Sequence, residues 1–242
     1  MDPTAYPLHA EVEGRHWWFV ARRAIVGETL RSLGLPQPAR LIELGSGTGG
    51  NLGLLSSFGE VLAIEPDAGA RNHAQSRYPA VAHRASLAGL TGQEAFDGAV
   101  ALDVIEHLDE PAADLRKLGA WLLPGAPLVV TVPAHPWLYG AHDRYLQHRR
   151  RYSAAALASD LARGGFLVEH ISPMNAVALL PAAAVRAVEA LRPPADGPRG
   201  MGVPPRPLNA LLTRLFAAER HPLVRRLLPV GLSWLAVARR PR

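Results

Sequence analysis

Three stretches of this 242-residue chain carry side chains whose types and spacing could do chemistry. In DVIEH (103–107), Asp103, Glu106 and His107 fall within one helical turn, so two carboxylates and an imidazole can converge. In AHDRYLQHRRRYS (141–153), His142, Asp143 and His148 are candidate general bases, because imidazole titrates near neutrality. Arg149, Arg150, Arg151 and Tyr152 in the same stretch are candidates for holding an anionic acceptor. In ELGSGTGG (43–50), Gly45, Gly47 and Gly50 fit G-x-G-x-x-G, a phosphate-cradling turn. The same stretch fits E-x-G-x-G-x-G through Gly45, Gly47 and Gly49.

Alternating strand and helix signals must position these groups. Short apolar runs at 39–44, 60–65, 80–85, 96–103, 126–133 and 166–172 read as strands, and 231–240 reads as a seventh. Helical patterns lie at 15–33, 51–57, 66–77, 111–122 and 153–163, the last with Ser153 as its N-cap. Such alternation implies βαβ units and a doubly wound parallel sheet with helices on both faces. Ligands of these sheets bind beyond the carboxyl ends of the strands. All three stretches follow a strand there.

The expected organisation is an N-terminal helical cap (1–37), an α/β core (38–172), a helical insertion (173–229) and a final core strand (230–242). The insertion holds two candidate helices around a Pro/Gly-rich connector (192–207), with a stripe of Leu208, Leu211, Leu212, Leu215 and Phe216. It reads as a cover over the acceptor, a surface for peripheral membrane contact, or an interface. The oligomeric state is left open.

Composition narrows the function. The chain has no cysteine, which excludes disulfides, thiolate metal sites and cysteine nucleophiles. The N-terminus lacks the pattern of a secretory signal, and the most apolar stretch (176–191) is interrupted by Pro181, Arg186 and Glu189. A cytoplasmic protein is expected. Basic charge is concentrated at the end: residues 1–180 carry 15 Lys+Arg and 18 Asp+Glu, and residues 181–242 carry 11 Arg and 3 acids. Such a tail suits an anionic lipid, a phosphorylated substrate or nucleic acid. Few aromatics accompany it, which argues against single-stranded nucleic acid.

The glycine turn follows a strand, opens a helix, and is followed about 20 residues on by Glu65, a carboxylate placed to accept ribose hydroxyls. That feature suits a nicotinamide dinucleotide and S-adenosylmethionine (SAM) equally. Glu43 separates them: it repels a pyrophosphate and attracts the cationic methionine end of SAM. A short-chain dehydrogenase would also need Tyr-x-x-x-Lys, but residue 113, four before the only lysine, Lys117, is alanine. No Lys-Ser/Thr follows the turn, as a nucleoside triphosphate loop requires.

ELGSGTG, Glu65 and ALDVIEHLDEP (101–111) together resemble a class I SAM-dependent methyltransferase, over roughly residues 38–172 and the last strand. The resemblance implies a seven-stranded Rossmann-like sheet whose last strand is antiparallel, between the fifth and sixth. It implies that Glu43, Gly45, Ser46, Gly47 and Gly49 shape the methionine pocket and that Glu65 holds the ribose. Pro66 would lie by the adenine, Ser86 and Leu87 would flank its ring, and Asp103 and Val104 would face the methionine end. HWWFVARR (16–23) resembles a segment of a bacterial small-molecule subset, in which Trp18 and Arg22 would cover SAM and pair with its carboxylate. The string from Asp143 through His148 to Tyr152 resembles an element of that subset. D-x-x-E-H resembles the E-x-x-E-H of ubiquinone-pathway and RNA 2′-O-methyltransferases, where it binds a divalent cation. No metal is expected, with Asp103, Glu106 and His107 the ligand set for Mg²⁺ if one binds.

The expected function is SAM-dependent methyl transfer to a small apolar or anionic metabolite, with oxygen favoured as the acceptor atom because candidate bases surround the pocket. RNA methylation with a metal at Asp103, Glu106 and His107 is the alternative, with nucleic acid the less expected partner. A non-catalytic SAM-binding scaffold is the third.

Overall fold

The architecture comes from a computed structural model describing residues 5–90, 95–191, 202–221 and 229–242. Helices α1 (Ala5–Val12) and α2 (Trp17–Ser32) precede strand β1 (Ala39–Leu44). Alternation follows: α3 (Leu52–Ser56), β2 (Gly59–Ile64), α4 (Ala68–Arg77), β3 (Ala82–Arg84), β4 (Gly98–Leu102), α5 (Pro111–Gly119) and β5 (Pro127–Pro133). The chain continues through α6 (Ala141–Tyr145), α7 (Ala154–Arg163), β6 (Leu167–Met174), α8 (Leu179–Leu191), α9 (Arg206–Ala218) and β7 (Ser233–Arg239).

The seven strands form one sheet in the order β3-β2-β1-β4-β5-β7-β6. The first five run parallel, and β7 pairs antiparallel with both β5 and β6. The order reverses between β1 and β4, so the loops after those strands open into one crevice. Central strands β4 and β5 are buried at every residue, as a sheet covered on both faces requires. One core layer packs α5 and α7 on the sheet through Leu115, Leu118, Leu157 and Leu161. The other packs α2 and α3 through Ile25, Val26, Leu30, Leu52 and Leu55. Ser153 caps α7, accepting the Ala156 N–H at 3.1 Å.

The insertion between β6 and β7 goes to two places. Helix α9 packs on α2: Trp17 and Phe216 meet edge to face at 5.9 Å, and the Asn209 side chain takes the Trp17 N–H at 2.9 Å. Its expected stripe splits. Phe216 is fully buried, whereas Leu208, Leu211 and Leu215 are about half exposed. Helix α8 reaches the loop after β5, where Arg186 donates to the Leu138 carbonyl at 2.7 Å. Most of the Pro/Gly-rich connector (192–207) lies outside the described residues. Among the described residues no helix is long and apolar enough to cross a membrane.

Candidate functional site

The glycine turn joins β1 to α3. Gly45, Gly47 and Gly49 have φ of 71°, 53° and 88°, the left-handed region where a Cβ is disfavoured. Gly50 is outside that region, so backbone conformation singles out the E-x-G-x-G-x-G set. A Cβ at Gly45 would sit 2.5 Å from Val104, and this is why the loop after β4 can lie against the turn.

Glu43 is the next-to-last residue of β1, with only 1% of its surface exposed. Its Oε1 accepts from the Asn51 amide at 2.8 Å, while Oε2 is buried without a partner among the described residues. Burial raises its pKa to about 7, although the Asn51 hydrogen bond and the nearby Arg22 charge pull the other way. Glu65, also buried, accepts the Gly47 N–H at 2.8 Å, the Asp67 N–H at 2.9 Å and the Tyr6 hydroxyl at 3.3 Å. The carboxylates expected at the two ends of the cofactor thus both lie on the turn.

Arg22, buried, and Asp103, partly buried, form an ion pair with each other, and Arg22 stacks on Trp18 at 4.5 Å from the ring centre. Asp103 follows β4 with φ of 57°, a conformation costing about 1 kcal/mol or more for a residue with a side chain. Arg22 therefore touches two other residues expected at the methionine end, Trp18 and Asp103. Val104 lies half-buried over Gly45, and Ser46 is buried. Pro66 and Ser86 are exposed, and Leu87 belongs to the apolar core below.

The loop after β5 builds a second centre. His148 Nδ1 donates to Asp143 Oδ1 at 3.0 Å. Asp143 also takes Arg151 Nε at 2.8 Å and the Gly140 N–H at 2.9 Å, and Arg186 of α8 lies 3.7 Å away. Burial alone would raise the Asp143 pKa, but the His148 hydrogen bond, the Arg151 charge and the Gly140 N–H outweigh it and bring it to about 2. His148 thus has one tautomer, with Nε2 left as the basic nitrogen.

Glu106 from the loop after β4 is fully buried with Oε1 4.0 Å from His148 Nε2, and neither of its carboxyl oxygens has a hydrogen-bond partner among the described residues. Burial, then the Asp103 charge, raises its pKa well above the carboxylate range. His107 Nδ1 faces the Gln147 carbonyl at 3.2 Å, an acceptor, so His107 too presents Nε2 as its free nitrogen. Burial and the neighbouring His148 lower its pKa to about 3. One ligand atom each from Glu106, His107 and His148 lies within 4.8 Å of the others. Asp103, in the expected ligand set, is instead held by Arg22, and His148 takes its place in the cluster. A cavity of about 500 Å³ opens beside it, lined by His107, Tyr139, Arg144, Gln147, His148 and Arg149.

Two acceptor-binding expectations change. Tyr152 is 1% exposed and its hydroxyl goes to Asp160 at 3.1 Å, because a β-bridge between Ala134 and Tyr152 draws it into the core. Arg150 spends its guanidinium on the Leu108 and Asp109 carbonyls, away from the cavity lining. His142 is half-buried on α6 and likewise does not line that cavity. Of the other two arginines expected to hold an acceptor, Arg149 lines the cavity and Arg151 turns inward to Asp143. Residues the sequence did not single out are Tyr6, Glu13 and Asn51. Only Asn51 had a visible signal, as a polar residue opening the helix after the glycines.

Comparison with known structures identifies the fold class. One matching chain belongs to a complex between the Haloferax volcanii Trm112 methyltransferase activator and a methyltransferase (TM-score 0.62, 16% identity, 99% of this chain and 96% of that one). Another is a SAM-dependent methyltransferase from Mesorhizobium loti (TM-score 0.55, 19% identity, 88% and 96%). A third is geranyl diphosphate C-methyltransferase from Streptomyces coelicolor A3(2), solved with Mg²⁺, geranyl diphosphate and S-adenosylhomocysteine (TM-score 0.59, 15% identity, 89% and 78%). At these identities the likeness is one of fold: the Rossmann-like sheet of class I methyltransferases. No curated protein matches the sequence. Residues 16–171 match the model of a methyltransferase domain, and the chain belongs to that family. It is a SAM-dependent methyltransferase.

Proposed function

We propose that the protein transfers the SAM methyl group to an oxygen of a small anionic or apolar acceptor held beside His148. The observation that carries this reading is the Asp143–His148 pair next to a cavity lined by Arg144 and Arg149. In the reaction the acceptor O–H gives its proton to His148 Nε2, oxygen bonds to the methyl carbon, and the C–S electron pair returns to sulfur. Asp143 stabilises the imidazolium that forms. Glu43 and Glu65 face the methionine and ribose ends of the donor, and alignment supplies much of the rate. The test is transfer of radiolabelled methyl from SAM to a panel of hydroxylated, carboxylated and phosphorylated metabolites. His148→Ala should keep SAM binding and lose turnover at least about 100-fold; equal turnover would sink the role given to His148.

A second reading is favoured by Glu106, whose fully buried carboxyl has no hydrogen-bond partner among the described residues. Glu106, His107 and His148 would hold a divalent cation, with Asp143 and the Gln147 carbonyl orienting the two imidazoles from behind. Two imidazoles and one carboxylate suit Mn²⁺ or Zn²⁺ better than Mg²⁺. When bound, such an ion would acidify an acceptor hydroxyl in place of His148. Calorimetry with Zn²⁺ and Mn²⁺ on chelator-treated protein separates the two, and no binding by either ion rules the metal out.

A further inference from the structure

We propose that α1 is a self-inhibitory cover of the cofactor cleft, in which the Tyr6 hydroxyl occupies one of the positions on Glu65 that the ribose diol takes. The proposal rests on Glu65 being the ribose carboxylate.

The eight residues of α1 are too few to hold a helix on their own in water. What holds them is the glycine turn. Near its start, Tyr6 donates to Glu65 Oε1. Just past its end, Glu13 is 5% exposed, accepts from Thr48 Oγ1 at 2.7 Å and pairs with Arg77 of α4. Between the two, His9 meets Phe19 of α2 edge to face at 5.5 Å. A Cβ at Gly50 would lie 2.5 Å from Glu13 Oε2. The third glycine of G-x-G-x-x-G therefore admits α1, while the left-handed glycines shape the turn.

The Tyr6 contact is the one that collides with function. Oε2 of Glu65 takes the Gly47 N–H and keeps one lone-pair direction open, and Oε1 already takes the Asp67 N–H. The remaining lone-pair direction on Oε1, which a ribose hydroxyl would use, is taken by Tyr6. At 3.3 Å that bond is longer than the roughly 2.5–2.7 Å of a strong hydroxyl–carboxylate bond, so a well-placed diol wins the exchange. Gly14 and Arg15 join α1 to α2, both exposed, with nothing within 4 Å of the Gly14 Cβ direction. The Arg15 carbonyl is held by the Asn209 amide of α9 at 2.9 Å, so the swing falls at Gly14 and breaks the bonds from the Arg15 and His16 N–H groups to the Val12 carbonyl while α2 stays packed. SAM then binds only the open fraction, and its apparent affinity is lowered by that fraction.

The test compares SAM binding by calorimetry, and trypsin cleavage at Arg15, in wild-type protein, Tyr6→Phe and Glu13→Gln. Removing the hydroxyl should tighten SAM binding about three- to tenfold, the worth of one net hydrogen bond. S-adenosylhomocysteine should speed cleavage at Arg15 in the wild type, and Glu13→Gln should be cut quickly without it. Unchanged or weaker SAM binding by Tyr6→Phe overturns the cover, as does protection of Arg15 by S-adenosylhomocysteine. A Glu65→Ala variant that binds SAM with wild-type affinity overturns the ribose assignment and the cover together, whereas the first two outcomes leave that assignment standing.

Discussion

Replacing Glu43 with glutamine should separate the cost of this residue to the fold from its use to the cofactor. In the folded chain Glu43 is 1% exposed, one carboxyl oxygen has no hydrogen-bond partner among the described residues, and burial raises its pKa from 4.5 to about 7. A raised carboxyl binds its proton more tightly in the folded than in the unfolded state. Its stabilisation is complete below pH 4.5 and is lost as pH rises through about 7. At about 1.4 kcal/mol per unit, the loss comes to roughly 3 kcal/mol. Glutamine fits the same space, keeps an oxygen for Asn51 and does not titrate. Relative to wild type, Glu43→Gln should therefore gain stability steadily from pH 4.5 to 7 and no more beyond, by roughly 3 kcal/mol in all, or about 6–12 °C in Tm for a chain of this size. Urea unfolding at a series of pH values reads the difference directly. The pH dependence, not the absolute offset, is the measurement, because the neutral acid and the amide leave similar buried donors.

The same carboxyl makes a calorimetric prediction. A sulfonium or ammonium brought next to Glu43 lowers its pKa again, so SAM binding at pH 6 should release up to one proton. That proton appears as a dependence of the binding heat on the ionisation enthalpy of the buffer. The glutamine variant should bind SAM more weakly and release none. Parallel stability curves for the two proteins between pH 4.5 and 7 would refute the buried-acid account, and equal proton release would refute the placement of the cation.

Two further substitutions probe the frame around the site. Gly47→Ala pays only the left-handed backbone penalty, about 1–2 kcal/mol, because nothing lies within 4 Å of its Cβ direction. Gly45→Ala adds an overlap with Val104 at 2.5 Å and should lose clearly more stability in the same urea titration; equal losses would mean that the loop after β4 yields freely. Asp143→Asn strands Arg151 and should cost about 3–5 kcal/mol at neutral pH. Because the Asp143 pKa falls from 3.8 to about 2 on folding, its contribution is present above 3.8 and lost toward pH 2. The asparagine variant should lack that acid-side loss, and a wild-type curve without it would contradict the ion pair.

What was legible in the sequence follows from which forces are local. Strand positions were readable because β1, β4 and β5 are buried on both faces and bounded by glycine, proline or acid, so composition alone marks them. The turn was readable because left-handed φ at Gly45, Gly47 and Gly49 is a property of three residues. Arg149, Arg150 and Arg151 show where such reading ends. They are three identical neighbours, yet one pairs with Asp109, one caps two carbonyls and one turns inward to Asp143. Backbone direction decides between them, and it is set by the bridge from Tyr152 to Ala134, a partner 18 residues away in sequence. Helix α1 is the same lesson at larger scale. Its mean pattern is weak, and its reasons for existing, Glu65, Thr48 and Arg77, lie 35 to 64 residues further on. A short helix held largely by distant polar partners is invisible to periodicity, and it is also one that a competing ligand can displace. The segment hardest to read from the sequence is therefore the one whose position on the cleft most depends on what the cleft contains.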